Sequence, residues 1–360
     1  MKLKQRILAA FAAAAMLCGV AGCSSTDTGT KTDFGSLTNN GTPISPGVLS
    51  GAGNLASQLA ANLEKEDKVY KIGISKLMTH AALDLSEQGF VDALKASGLV
   101  EGVNLELTYR NGNGDESALN SIAQEFIANG DDLIFAIATP AAQTAAKQTS
   151  EIPIIATAVT DFIDAGLAES SSRPGKNVSG TTDMSPIEEQ IDLLLEVLPD
   201  VETLGLVYTA SESNSVLQID IAKAYAEKRG LATVERAIET ADDIADVFSA
   251  IADECDAVYL PTDNLLASEM AAVAAVCEPA GLPVICAESG MVQAGGLCTL
   301  AIDYYDLGYQ AGIMAVKVLG GSNITRLAIQ KSSKFEYSFN SRTVEVLGIT
   351  LPDKYLSYLN

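Results

Sequence analysis

From Lys68 onward the chain alternates short apolar runs with longer stretches whose apolar positions recur every three or four residues. Val69–Ser75, Leu105–Arg110, Leu133–Ala138, Ile152–Val159 and Val178–Thr181 are runs of strand length. Between the first three, Ala81–Ala96 and Glu116–Ala128 carry helical periodicity. The theme then repeats, with strand-like runs at Leu204–Tyr208, Thr233–Ala237, Ala257–Leu260, Val284–Ala287 and Leu297–Ile302. Helical stretches at Ser213–Lys228, Asp242–Ala252, Leu265–Glu278 and Tyr304–Leu319 separate most of these. Strand–helix alternation of this kind predicts βαβ units and parallel sheets covered on both faces. The expected fold class is α/β, with two Rossmann-like lobes built on parallel sheets and a ligand cleft between them. In such sheets ligands sit beyond the carboxyl ends of the strands, so the residues there are the candidates.

The first 66 residues follow a different pattern. Met1–Arg6 is basic, Ile7–Met16 is apolar and Ala-rich, and Val20-Ala21-Gly22-Cys23 follows. This is the layout of an export signal, and its small-residue end before Cys matches a bacterial lipoprotein cleavage site. Residues 1–22 are therefore expected to leave as a signal peptide. Cys23 is expected to carry the lipid that anchors the chain at the extracytoplasmic face of the cell membrane. Residues 23–66, rich in Ser, Thr, Gly and Asn, read as a flexible spacer, with a short helix at Leu55–Asn62 as the alternative. Removing the leader takes away Lys2, Lys4 and Arg6, which moves the formal net charge from −23 to −26. So acidic a chain repels phosphate backbones and anionic lipid, which excludes nucleic acid as a partner and leaves the lipid as the membrane contact. About 290 residues remain for the folded part, enough for two lobes.

Reactive chemistry is sparse. His80 is the only histidine, so any Ser–His–Asp or Cys–His arrangement would have to use it. There is no Gly-x-Ser-x-Gly elbow and no CxxC or paired-His spacing, so neither an enzyme, a metal nor a cofactor is expected. Cys286 and Cys298 fall in neighbouring predicted strands, and either pair or stay buried as thiols.

The predicted strand ends carry more information. His80 follows the first strand, where it either starts a helix or reaches a ligand. Thr139-Pro140-Ala141-Ala142-Gln143 follows the third. Thr139 can cap a helix, Pro140 suits its first position, and the free N–H groups would make an anion site. Asp161 follows the fourth strand, Ser213 and Asn214 open a helix in the second half, and Asp263-Asn264 and Asp303 stand at later strand ends. Asp161, Asp263 and Asp303 can hold an ammonium and the helix starts a carboxylate. Together these describe an amino acid.

At these residues the sequence resembles the ABC-transporter substrate-binding lipoproteins of the tryptophan/tyrosine-binding type, which have the periplasmic-binding-protein type I fold. The resemblance runs from about Val69 to about Pro352. It is carried by an ordered set of segments: His80 with Leu83-Asp84 and Gly89-Phe90, Ala138–Gln143, Val159–Asp161, Asn177–Met184, Glu188–Gln190, Ser211–Ser215, Pro261–Asn264, Glu288 with Gly290-Met291, and Ile302–Tyr305. It implies a solute-binding protein that closes two lobes on an aromatic amino acid and delivers it to a membrane permease with its ATPase, acting as a monomer. It further implies that Thr139, Ala141, Gln143, Ser213 and Asn214 grip the carboxylate, that Asp303, helped by Asp161 or Asp263, takes the ammonium, and that His80 lines the cleft. The fold implies lobe one at 67–182 plus 303–330 and lobe two at 183–302 plus 331–360. Two departures touch the side-chain pocket. Thr79-His80-Ala81 stands where the family often has Glu-His-Pro, and Phe162 where it often has Pro. A ligand-sensing surface receptor of the same fold, or a binding protein for another small solute, is the alternative.

Overall fold

Ile, Val and Leu crowd the strands of both halves because each strand is covered on both sides, and the observed sheets follow from that. The structure, a computed structural model, describes residues 68–332 and 334–360. The signal peptide, Cys23 and the spacer lie outside the described residues.

The first half runs β1 (Tyr70–Lys76), α1 (Ala81–Ala96), β2 (Leu105–Asn111), α2 (Glu116–Asn129), β3 (Leu133–Ile137), α3 (Thr139–Gln148), β4 (Ile154–Val159) and β5 (Val178–Thr182). The second runs α4 (Ile187–Val197), β6 (Thr203–Thr209), α5 (Ser213–Lys228), β7 (Ala232–Ile238), α6 (Ile244–Glu254), β8 (Ala257–Leu260), α7 (Asn264–Ser268), α8 (Met270–Ala280), β9 (Val284–Cys286), α9 (Ser289–Gln293) and β10 (Cys298–Ile302). The chain closes with α10 (Tyr304–Leu319), β11 (Gln330–Lys331), β12 (Phe335–Phe339) and α11 (Ser341–Val346). One sheet has the order β11-β5-β4-β3-β1-β2 and the other β12-β10-β9-β8-β6-β7. Every pairing is parallel except that of β10 with β12. Every residue of β3, β4, β8 and β9 is buried, as a doubly covered parallel sheet requires.

After β10 the chain returns to the first sheet, where α10 packs against α1 at very short range. A Cβ on Gly308 would meet the Ser86 carbonyl oxygen at 2.0 Å, and one on Gly89 the Tyr305 carbonyl at 2.1 Å. Only glycine allows the two backbones so close. That contact places Tyr304, the first residue of α10, at the line where the two sheets face each other.

One local expectation is corrected. The stretch 265–278 is not one helix, because Glu269 (φ −105°, ψ 13°) interrupts it between α7 and α8. Of the two alternatives for Cys286 and Cys298, the buried thiols hold and the two do not pair. Cys298 is the cross-strand partner of Ile285, so the neighbouring Cys286 points to the opposite face of the sheet. No helix among the described residues is long and apolar enough to cross a membrane.

Candidate binding site between the lobes

Seven strand ends converge on one cavity. Its walls are His80 and Leu83 after β1, Ala158 and Thr160 at the end of β4, Asp183 after β5, Asn214 after β6, Thr262, Asp263 and Asn264 after β8, Glu288 after β9 and Tyr304 after β10. Ala158 reaches the cavity from a register irregularity in β4 and adopts φ 53°, which only a locally constrained backbone imposes on a residue with a Cβ.

Four carboxyl groups are buried here, and their hydrogen bonds divide them into two kinds. Glu212 heads α5 and is fully committed. Its Oε2 accepts from Asn264 N (3.0 Å), Asn264 Nδ2 (2.5 Å) and Asn214 Nδ2 (3.3 Å), and its Oε1 from Leu265 N (3.0 Å). Asp263 caps α7 and accepts from Thr209 N, Thr209 Oγ1 and Leu266 N at 2.7–2.9 Å. Burial pushes both above the ordinary carboxyl range, and the Asp263 charge raises Glu212 further, but their donors hold them in place as acceptors.

Asp183 and Glu288 are different. Asp183 Oδ2 accepts from the Tyr304 hydroxyl at 2.8 Å, while its Oδ1 has no partner. Burial pushes Asp183 up to about 6. Burial, then the Asp183 charge, push Glu288 up to about 8. Gln190 anchors the turn that carries Glu288, donating to the Ala287 carbonyl at 3.1 Å and to that of Leu300 at 2.9 Å.

Two further acceptors face the cavity without donors. The Asn214 amide donates to the Thr262 carbonyl at 2.9 Å and to Glu212, which fixes its orientation and leaves Oδ1 unpartnered. His80 reaches across the cleft to Asn264, with Nε2 3.3 Å from Oδ1. The Asn264 amide nitrogen is held by Glu212, so Oδ1 can only accept. His80 therefore carries its proton on Nε2, which leaves Nδ1 bare, without a hydrogen-bond partner and 3.7 Å from Glu288. Burial keeps the imidazole neutral by lowering its pKa. Hydroxyls supply the donors. Thr160 and Thr262 face each other across the cleft at 3.4 Å, so one donates to the other, and Gln218 Nε2 donates to both oxygens, which leaves the proton of the second hydroxyl for a ligand.

Of the expected site residues, His80, Asn214, Asp263 and Asn264 are brought together in the cavity. The others are corrected. Asp303 is exposed and caps α10 through Asp306 N at 3.1 Å, so Tyr304 rather than Asp303 turns into the cleft. Asp161 closes its own turn on Ile163 N and Asp164 N. Ser213 is exposed and lines a separate groove with Asp164 and Asp220. Ala141 is packed in the core, Gln143 donates to the Ala165 carbonyl, and Thr139 is buried with an unpartnered hydroxyl; none of the three lines the cavity. Asn214 offers an acceptor, not the carboxylate donor expected of it. Phe162 is buried in the first hydrophobic core and does not line the cavity. Asp183, Glu212, Glu288, Thr160 and Tyr304 were not among the expected contacts. Asp183 did carry a signal, since three residues separate it from the helix that starts at Ile187, so it is not a cap.

Residues 71–359 match the family model for ABC transporter substrate binding proteins. A curated relative, the tyrosine-binding protein of Clostridioides difficile strain R20291, is 37% identical over 305 residues, covering 84% of this chain and 88% of its own. An ABC domain from Streptococcus pneumonia solved in complex with L-Trp is 34% identical and superposes with a TM-score of 0.79, over 81% of this chain and 99% of its own. The ligand-free, open structure of a substrate-binding protein with adhesive properties from Clostridium difficile is 39% identical, yet its TM-score is lower, at 0.65, over 81% of this chain and 98% of its own.

Proposed function

The chain belongs to the family of ABC transporter substrate-binding proteins, and we propose that it captures a free aromatic amino acid between its lobes and delivers it to an importer. It is an extracytoplasmic solute-binding protein, not an enzyme. In this reading Cys23 carries a lipid anchor, the protein acts as a monomer, and the lobes are 67–182 with 303–330 and 183–302 with 331–360.

One observation carries the choice of ligand. Three acceptors that line the cavity, Asp183 Oδ1, Asn214 Oδ1 and His80 Nδ1, are buried without a donor, and no Lys or Arg lines it. A buried acceptor without a donor forfeits about 1–3 kcal/mol. A primary ammonium brings donors for the two oxygens, Asp183 Oδ1 and Asn214 Oδ1, and the positive charge that Asp183 lacks. The Thr160 and Thr262 hydroxyls are the donors we assign to the carboxylate, and Leu83 and Ala158 the apolar contacts of the side chain. The better superposition on the L-Trp complex than on the open relative supports reading this arrangement as the closed one.

The test is a thermal-shift and calorimetric comparison of L-tyrosine, L-tryptophan and L-phenylalanine with tyramine and 3-(4-hydroxyphenyl)propionate, since a ligand of the native state raises its melting temperature. Amino acids should bind, and each analogue lacking one of the two groups should bind at least about 30-fold more weakly. Equal binding of the propionate would remove the ammonium site. Response only to sugars or other solutes would overturn the ligand class.

A further inference from the structure

The cavity holds two carboxyl groups with spare oxygens, Asp183 and Glu288, yet an amino acid brings only one positive charge. A second ionised carboxylate closed into this site would stay uncompensated, a penalty of several kcal/mol. The hydrogen bonds show which of the two is served as an ion. The Tyr304 hydroxyl, which lies near both, makes its short bond at 2.8 Å to Asp183. Glu288 instead faces the bare Nδ1 of His80, an acceptor that needs a proton. The histidine cannot turn to provide one, because the chain from Glu212 through the Asn264 amide fixes its proton on Nε2.

We infer that Glu288 closes the cleft as a carboxylic acid that donates to Nδ1 of His80, so that ligand capture takes up one proton from solvent and leaves Asp183 as the sole counter-ion of the ligand. The inference rests on the amino-acid reading above. Glu288 is thus a positioning residue. It orients His80, which spans both lobes, and acts through the proton it holds. The ionisable groups that face it agree. Asp183 after β5, Glu212 at the head of α5 and Asp263 at the head of α7 all disfavour a further negative charge, and Tyr304 at the start of α10 is held neutral by burial. Behind His80, Lys76 is already paired with Asp84 at 2.7 Å and Glu87 at 2.9 Å.

The sign follows from linkage. Burial and the neighbouring carboxylates hold Glu288 at about 8 in this arrangement, against the ordinary 4.5 that we take for the open cleft. Its contribution to closing is therefore complete below about 4.5 and is lost as pH rises through about 8. Affinity for L-tyrosine should fall by up to about tenfold per pH unit between those limits.

The experiment is titration calorimetry of the purified protein with L-tyrosine at about pH 7, in buffers of different ionisation enthalpy, together with a series of affinities from about pH 5.5 to 8. Uptake of about one proton per ligand supports the inference. In Glu288→Gln the amide donates to Nδ1 without borrowing a proton, so uptake should vanish and affinity at about pH 8 should exceed that of the unsubstituted protein by about tenfold or more. No uptake in the unsubstituted protein, or weaker binding of Glu288→Gln at every pH, overturns it. The lone histidine gives a second readout that stands if the variant does not fold. The ¹⁵N shifts of His80 in the bound protein should report a neutral ring, protonated on Nε2, with Nδ1 accepting a hydrogen bond. A cationic or Nδ1-protonated ring overturns the inference. Failure of L-tyrosine, L-tryptophan and L-phenylalanine alike to bind would overturn the amino-acid reading, and this inference with it, whereas binding with no proton uptake overturns this inference alone.

Discussion

Replacing Asp183 by Asn changes one atom in a site from which water is largely excluded. The side chain is 3% exposed, Oδ2 accepts from Tyr304 at 2.8 Å and Oδ1 has no donor in the protein. Asn keeps the shape, loses the charge and turns either its NH2 or its carbonyl toward the ligand. A charge-assisted hydrogen bond contributes about 1.5–3 kcal/mol, and removing one partner of a buried ion pair costs about 3–5 kcal/mol. The ligand can recover part of this by shifting toward Asn214 Oδ1, so about 2–4 kcal/mol is the expected loss of affinity, roughly 30- to 1000-fold. Stability without ligand should move the other way or not at all, because burial already disfavours the ionised acid, whose pKa stands at about 6. Calorimetry with L-tyrosine measures the first effect and a thermal melt without ligand the second. Asp303→Asn is the control. It retains a good helix cap on an exposed residue and should leave both quantities unchanged. Affinity of Asp183→Asn within threefold of the unsubstituted protein would refute the ammonium assignment. So would an Asp303→Asn variant that lost binding while Asp183→Asn kept it.

Glu212→Gln places an NH2 among N–H donors that now converge on a carboxylate, and should destabilise the second lobe by about 2–4 kcal/mol in denaturant unfolding. Gly308→Ala drives a Cβ to 2.0 Å from a backbone oxygen that no side-chain rotation can relieve, so we expect a loss of about 3 kcal/mol or more and a melting temperature lower by roughly 5–10 °C. Without ligand, X-ray scattering should show the radius of gyration shrinking as pH falls from about 8 to 6. Asp183 and Glu288 have raised values in the closed form, about 6 and about 8, so closing is favoured when they are protonated and opposed as pH rises through those values. A radius that stays constant, or grows on acidification, would contradict this sign.

The strands were legible because a doubly covered parallel strand must be apolar throughout, and β3, β4 and β8 are. Helix α4 was not anticipated, although its Ile187, Ile191, Leu194 and Val197 follow helical spacing and Pro186 with the acidic Glu188-Glu189 is an ordinary helix start. The site was legible as a place but only partly as a set of residues. An Asp at a strand end serves equally well as a helix cap or as a ligand group, and sequence does not separate the two uses. Asp303 and Asp263 both turned out to be caps. Glu is a poor cap, so Glu212 and Glu288 at helix starts were the better clue to a buried polar role, and neither makes a cap bond in the structure. The reversed role of Asn214 could not be read at all, since it depends on which of its atoms Thr262 and Glu212 engage.

The energetics of closure connect these points. Apart from the 2.8 Å bond of Tyr304 to Asp183, the hydrogen bonds made between lobes within the cavity are long, 3.3 Å for His80 with Asn264 and for Gln218 with Thr160, and 3.4 Å for Thr160 with Thr262. At about 0.5–1.5 kcal/mol for a good bond, and less at these lengths, they cannot offset the burial of two carboxyl groups at several kcal/mol each. Closed lobes without ligand should therefore be a minor population near neutral pH. Reversing a 99:1 preference for the open form requires about 5.5 kcal/mol of differential affinity. An ammonium that satisfies the orphaned oxygens of Asp183 and Asn214 and compensates one carboxylate supplies contacts of that order, and the remaining carboxyl group is neutralised by a proton. A ligand lacking the ammonium leaves Asp183 uncompensated and both oxygens unpaired. The groups that recognise the ligand are thus the same groups that hold the empty lobes apart, and selectivity and closure have one physical cause.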